Sequence, residues 1–140
     1  MTPDGAKRLS SWLQRQLGLT DWTIRVDVQD EAPRWVKPQY RGQSGVCHWR
    51  RYDKTAEIWV SPKHCEASHY EVDVTLAHEF VHVFVADHYS DSEHDGNDVM
   101  TERLAQVMVR AWRAGTPCPR VRKSTVKTIA ASGRRKAKRA

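Results

Sequence analysis

The sequence has few cysteines, no long apolar run and no acidic residue near its C-terminus. Its three cysteines, Cys47, Cys65 and Cys118, are too few and too uneven in number for a disulfide framework, which favours a reducing compartment. No apolar stretch reaches the roughly 18 residues that mark a membrane span. The N-terminal segment MTPDGAKRLSSWLQRQ also lacks the apolar core of a secretory signal. These absences predict a cytoplasmic protein that has no membrane partner.

Acidic residues are missing from Pro119 to Ala140, where nine lysines and arginines occur. The preceding 118 residues hold the other 14 basic groups and all 17 acidic ones, so their net charge is −3. This asymmetry predicts a mildly acidic domain over residues 1–118 and a disordered basic tail over residues 119–140. Residues 120–139 are predicted to bind nucleic acid without sequence preference. The alternative is a solvated tail that only aids solubility.

Hydrophobic periodicity predicts an α+β fold. Helices are predicted over residues 5–18, 69–86 and 98–114, and strands over residues 22–28, 45–50 and 56–60, the last two forming a hairpin. Ser68 and Glu71 match the S-x-x-E capping signal at the start of the second helix. In the last helix, the predicted buried stripe contains Val99, Leu104, Val107, Met108 and Ala111. The expected architecture is an N-terminal helix, a short antiparallel or mixed sheet, and a central helix packed on a C-terminal helix.

Three polar residues interrupt the apolar segment TLAHEFVHVF in the central helix. His78 and His82 are four residues apart, so both side chains lie on nearly the same helix face, about one turn apart. Two imidazole nitrogens in this arrangement can bind one Zn²⁺ at about 2.0–2.1 Å. Glu79 flanks this face and can act as general base on a zinc-bound water, as in the H-E-x-x-H arrangement of zinc hydrolases. The competing interpretation, a core helix that tolerates these residues, requires compensation for three buried polar groups.

A catalytic zinc ion requires a third protein ligand, and the sequence offers several downstream of His82. The candidates are His88, Asp91, Glu93, His94, Asp95, Asp98 and Glu102. Glu102 is preferred because it begins the last helix among apolar neighbours, and antiparallel packing of the two helices would bring it to the histidines. Its alternative role is a carboxylate that the helix dipole favours. Glu93 and His94 are the next candidates, and His88 would fit an H-x₅-H variant that lacks the expected glycine.

The segments TLAHEFVHV and TERLAQ, with nineteen residues between His82 and Glu102, resemble a gluzincin, a zincin whose third ligand is glutamate. From Trp22 to Trp112 the chain is similar to the compact metallopeptidase-like proteins of phages and prophages that are related to ImmA/IrrE and SprT-like proteins. The resemblance implies a zincin-like fold with His78, His82 and Glu102 as zinc ligands, Glu79 as catalytic base, and a protein or peptide substrate. Neither the Cys₄ zinc ribbon of SprT-like proteins nor the helix-turn-helix domain that often accompanies ImmA/IrrE proteins is recognisable.

Other residues carry weaker signals. The pairs Cys47-His48 and His64-Cys65 could form a second zinc site, although ordinary hairpin and loop roles are favoured. Stabilisation of a developing oxyanion could come from His69, Tyr70, Tyr89 or His94. Trp35 is predicted to be exposed and to face substrate, and the strand over residues 56–60 is predicted to bind substrate at its edge.

Three functions are compatible with these patterns. The first is a zinc-dependent metallopeptidase that hydrolyses peptide bonds with a Glu79-activated, zinc-bound water. The second is a nucleic-acid-associated or regulatory protein that works through its basic tail. The third is a zinc-binding interaction protein without turnover. Glu79 favours the enzyme, since a purely structural zinc site does not need that carboxylate.

Overall fold

The computed structural model describes residues 1–88 and 98–115. In chain order the elements are α1 (Pro3–Gln16), β1 (Thr23–Val28), a 3₁₀ turn (Pro38–Tyr40), β2 (Gly45–Arg50), β3 (Thr55–Val60), α2 (Pro62–Ala67), α3 (Val72–His88) and α4 (Asp98–Arg113). The predicted α+β class is confirmed, with a small mixed sheet. The predicted basic tail over residues 119–140 lies outside the described residues. None of the described helices is both long enough and apolar enough to cross a bilayer.

The three strands have the order β1-β3-β2. β2 and β3 pair antiparallel, with Gly45 opposite Val60, so the predicted hairpin is confirmed. β1 pairs with β3 in parallel, with Thr23 opposite Thr55. Because β3 is hydrogen-bonded on both sides, the prediction that its edge binds substrate is wrong. The two edges of this sheet are β1 and β2.

The core lies between the sheet and the helices. Leu9 and Leu13 of α1, Phe80 of α3 and Ile58 of β3 are fully buried in one apolar cluster. Burial of a large aliphatic or aromatic side chain contributes about 1.5–3 kcal/mol. On the opposite face of β3, the buried Trp59 donates its indole N–H to the Gln29 carbonyl over 2.9 Å. The core therefore holds α3 against the sheet and fixes the helix that carries the histidines.

The predicted start of α3 is wrong. Ser68 is the C-cap of α2, a short helix that the sequence analysis missed although Ser61 and Pro62 form a good helix start. His69 has a φ of 58° and is not helical. α3 begins at Val72, after a short turn. The S-x-x-E pattern does not mark the start of α3, because the same residue types also occur where one helix ends and the next begins.

The bounds of α4 match the prediction within one residue, but its predicted buried stripe is largely wrong. Val99, Leu104 and Val107 are 66, 38 and 57% exposed. Of the predicted stripe, Met108 is buried, and the buried face also contains Thr101, Ala105 and Val109. Arg113 at the end of α4 pairs with Glu71 and Asp73 at the start of α3. The two helices are therefore antiparallel, as predicted.

Candidate metal centre

His78 and His82 lie on one face of α3, as their spacing predicts. The Nε2 atoms of the two rings are 3.0 Å apart, and the ring centroids are 4.7 Å apart. α3 is regular through this region, so the approach follows from the helix geometry and requires no special backbone. Two imidazole nitrogens are thus directed at the same small volume.

Glu102 from α4 reaches the other side of the His78 ring. Its Oε2 lies 2.9 Å from His78 Nδ1. A carboxylate oxygen that accepts a hydrogen bond here pairs with a proton on Nδ1, and the tautomer with that proton presents its lone pair on Nε2. Nε2 of His82 faces that lone pair over 3.0 Å. Glu102 therefore selects the tautomer in which His78 offers Nε2 as a metal ligand.

The histidine pair fits a zinc ion. Two ligands at about 2.0–2.1 Å from a tetrahedral ion are about 3.3 Å apart, close to the observed separation of 3.0 Å between the Nε2 atoms. A carboxylate that accepts the distal N–H of a ligating histidine is the usual support of such a site. Across residues 1–88 and 98–115, however, no three His, Cys, Asp or Glu side chains are grouped as metal ligands in their present positions. Glu102 lies next to the histidine pair, but it contacts the nitrogen of His78 that is distal to His82 and does not complete a three-ligand group in its present position.

Glu79 is buried beside this pair. Its side chain is 7% exposed, and among the described residues it is the carboxylate with the deepest burial. Its Oε1 lies against the backbone of β2 at Gly45. Glu79 also acts on Cys47 of the same strand: burial, followed by the negative charge of Glu79, raises the pKa of the Cys47 thiol well above its ordinary value. The carboxylate is thus fixed between α3 and β2.

Trp49 of β2 packs on the second histidine. Its ring is nearly parallel to that of His82, with an interplanar angle of 11° and a centroid distance of 6.4 Å. This contact limits the rotation of the His82 ring. The sequence analysis assigned no role at the site to Trp49. The signal was its place in the strand, two residues after Cys47 and on the same face.

An open cleft leads to the histidines. α3 forms its floor with His78, Glu79 and His82, β2 forms one wall, and Glu102, Arg103, Gln106 and Arg110 of α4 line the other. Trp35, His69 and Tyr70 also line the cleft. Trp35 is half-buried, and its indole N–H donates to Asp27 over 3.4 Å. Its predicted exposure is therefore only partial, although it does face the cleft.

Of the other predicted ligands and donors after His82, only His88 has a described side chain. His88 is exposed at the end of α3, where its Nδ1 lies 2.9 Å from the Phe84 carbonyl oxygen. Five predicted residues lie outside the described part of the chain: Tyr89, Asp91, Glu93, His94 and Asp95. The side chain of Asp98 is not described either.

The candidate second zinc site does not form among the described residues. His64 lies 3.1 Å from the Arg41 carbonyl oxygen and packs edge-on against Trp59. Burial raises the pKa of the Cys65 thiol, against the lowering effect of its bonds to Thr75 and Ser44. Thiols with raised pKa values stay protonated near neutral pH and are weak metal ligands. Ordinary structural roles, the favoured alternative, agree with these contacts.

We expect substitution of Glu102 to weaken zinc binding strongly. A carboxylate that ligates the ion directly, as the sequence predicts for Glu102, is poorly replaced by an amide, so on that prediction Glu102→Gln should lower the affinity by more than the roughly 10- to 100-fold that loss of a supporting carboxylate causes. Titration with a competing chelator measures this change. Gln106→Ala is the matched control, because Gln106 contacts Glu102 over 3.3 Å and lies one turn further on. A loss of about 100-fold or less in Glu102→Gln would show that the carboxylate only orients His78.

Comparison of the chain with protein-family models, with curated proteins and with solved structures gives no match.

Proposed function

We propose that the protein is a zinc-dependent metallopeptidase with a small zincin-like domain. The observation that supports this proposal is the 3.0 Å approach of His78 Nε2 to His82 Nε2 at the floor of a cleft that also contains the buried Glu79. His78 and His82 would hold the ion; Glu102, the predicted third ligand, contacts His78 Nδ1 in the structure and would have to turn away from it to reach the ion. Zinc supplies Lewis acidity, which polarises a carbonyl group and makes a water molecule more acidic.

Glu79 is the general base in this proposal. A carboxylate held beside the histidines can accept a proton from the attacking water and deliver it to the departing amine. Burial between α3 and β2 keeps the carboxylate in one place, which favours proton transfer over a fixed distance. Glu102 holds the tautomer of His78, and Trp49 restrains the ring of His82.

A peptide substrate would bind along β2. This strand is an edge of the sheet, because β3 on its other side is the central strand, and it forms one wall of the cleft. An extended peptide can form main-chain hydrogen bonds with such an edge, which places its carbonyl groups at a fixed height above the floor. The substrate strand is therefore assigned to Gly45–Arg50 instead of the central strand.

The experiment that tests the proposal is cleavage of a randomised, fluorescence-quenched peptide library by the wild-type protein and by Glu79→Gln, with zinc content measured in both. Cleavage that persists equally in the variant would reject Glu79 as the base.

A second role is favoured by the nine basic residues of the segment over 119–140, which contains no acidic residue. We expect removal of residues 120–140 to abolish binding to duplex DNA, because each phosphate contact releases counterions with a log–log salt slope of about −0.9. Fluorescence anisotropy at several salt concentrations measures both affinity and slope. A full-length control in which glutamine replaces these nine lysines and arginines should also fail to bind.

Zinc content should be the same in all three proteins, since the candidate centre lies in α3 and α4. Equal DNA binding by the full-length and truncated proteins, or no binding by either, would exclude this role.

A further inference from the structure

Gly45 begins β2 at the point where the strand meets α3. A Cβ atom added to this residue would lie 2.6 Å from Glu79 Oε1, 3.1 Å from Glu79 Cγ and 2.8 Å from Thr75 Cγ2. Contacts shorter than about 3.0 Å between such atoms do not persist in close-packed interiors, so one partner would have to move. The space that a side chain at residue 45 would need is filled by the Glu79 side chain.

The glycine is not needed for its backbone conformation. The described glycines with a positive φ are Gly18 and Gly115, at the ends of helices, and Gly45 is not among them. Any residue could therefore adopt the backbone of Gly45, so the requirement at this position is for space. An isolated glycine in a strand often marks a close approach of this kind, and that signal was present in the sequence.

The surroundings determine which group would move. α3 is anchored by Leu76, Ala77 and Phe80, all fully buried, and β2 is paired with β3 along its whole length. The Glu79 carboxylate is the far end of a flexible side chain, so it would give way before the helix or the strand, whereas the Thr75 methyl group, the second close contact, is held on the short side chain of a helical residue. A methyl group at residue 45 would push the carboxylate off the position beside β2.

We propose that Gly45 is a positioning residue that sets the place of the Glu79 carboxylate by leaving room for it against β2. Its effect on catalysis rests on the proposed function, whereas its effect on the position of Glu79 does not. The chain offers a matched control in Gly42, where an added Cβ would meet nothing within 4 Å.

The catalytic part is tested with Gly45→Ala built on Thr75→Ser, which removes the second close contact, in the zinc-loaded protein with one quenched peptide selected from the library. We expect zinc content to be retained, kcat to fall by about 100-fold and KM to change little, because misplacement of a reacting group by about 1 Å can cost that much. In the Glu79→Gln background, Gly45→Ala should cause no further loss of kcat. A further loss of the same size would mean that the substitution loosens the site generally, which would overturn the assignment. Gly42→Ala should match the wild type.

The positional part is tested by a double-mutant cycle in denaturant unfolding, which requires neither metal nor turnover. The cycle is built on Thr75→Ser, which removes the second close contact and keeps the hydroxyl that donates to the Glu71 carbonyl. Gly45→Ala should raise the unfolding equilibrium constant about tenfold when Glu79 is present and hardly at all in Glu79→Ala. Equal effects in both backgrounds would overturn the inference. A protein that shows this coupling but binds no zinc would instead reject the proposed function.

Discussion

His78→Ala is expected to remove zinc from a protein that otherwise holds about one ion per chain after reconstitution. The substitution deletes one of the two imidazoles whose Nε2 atoms are 3.0 Å apart, and the remaining ligands cannot complete a tetrahedral site. Elemental analysis after dialysis measures the effect. His82→Ala should behave in the same way, because both rings are directed at the same volume.

The zinc ion should also stabilise the fold. An ion that binds only the native state adds about 4 kcal/mol at a free concentration 1,000 times its Kd. The melting temperature of the wild type should therefore rise when zinc is added, whereas that of His78→Ala should not. This comparison detects binding even when no substrate is known.

His88→Ala is the matched control for these measurements. His88 lies on the same helix but is exposed and bonds to the Phe84 carbonyl oxygen, so zinc content should not change. Loss of zinc in His88→Ala would support the alternative H-x₅-H spacing, in which His88 is a zinc ligand. Absence of zinc from the reconstituted wild type would reject the metal centre altogether.

Glu79→Gln is expected to retain zinc and lose peptide cleavage. Glutamine has the same shape as glutamate and fits the pocket against β2, but its amide does not accept a proton from water. Removal of a general base lowers kcat by about 10²- to 10⁴-fold. Mass spectrometry of library products together with metal analysis gives both quantities for the same sample.

Glu57→Gln provides the corresponding control. Glu57 is a partly buried carboxylate on β3 that also lines the cleft, and it pairs across the sheet with His48. Its substitution removes the same charge from the protein but leaves the base in place, so kcat should stay close to the wild-type value. An equal loss of kcat in both variants would show that the removed negative charge, and not proton transfer by Glu79, explains the loss.

Local periodicity in the sequence was sufficient to predict the α+β class, the β2–β3 hairpin and the approach of His78 to His82. These features depend on residues that are close in the chain, so helix and strand geometry alone determine them. The bounds of α4 follow for the same reason. The antiparallel arrangement of α3 and α4 was also foreseen, although it depends on packing between distant residues.

Only the tertiary structure decided which face of each element is buried, which is exposed and which lines the cleft. Packing against α3 rotates α4 so that Leu104 and Val107 are exposed and Glu102 meets His78 Nδ1. Parallel pairing with β1 makes β3 the central strand and leaves β2 as the edge along the cleft. The contact between Gly45 and Glu79 joins residues 34 positions apart, and no local pattern determines which side chain fills the space beside a glycine. Such contacts depend on the closest packing of elements that are remote in sequence, which is why periodicity predicts the helix carrying the site but not the fit of its carboxylate against the strand.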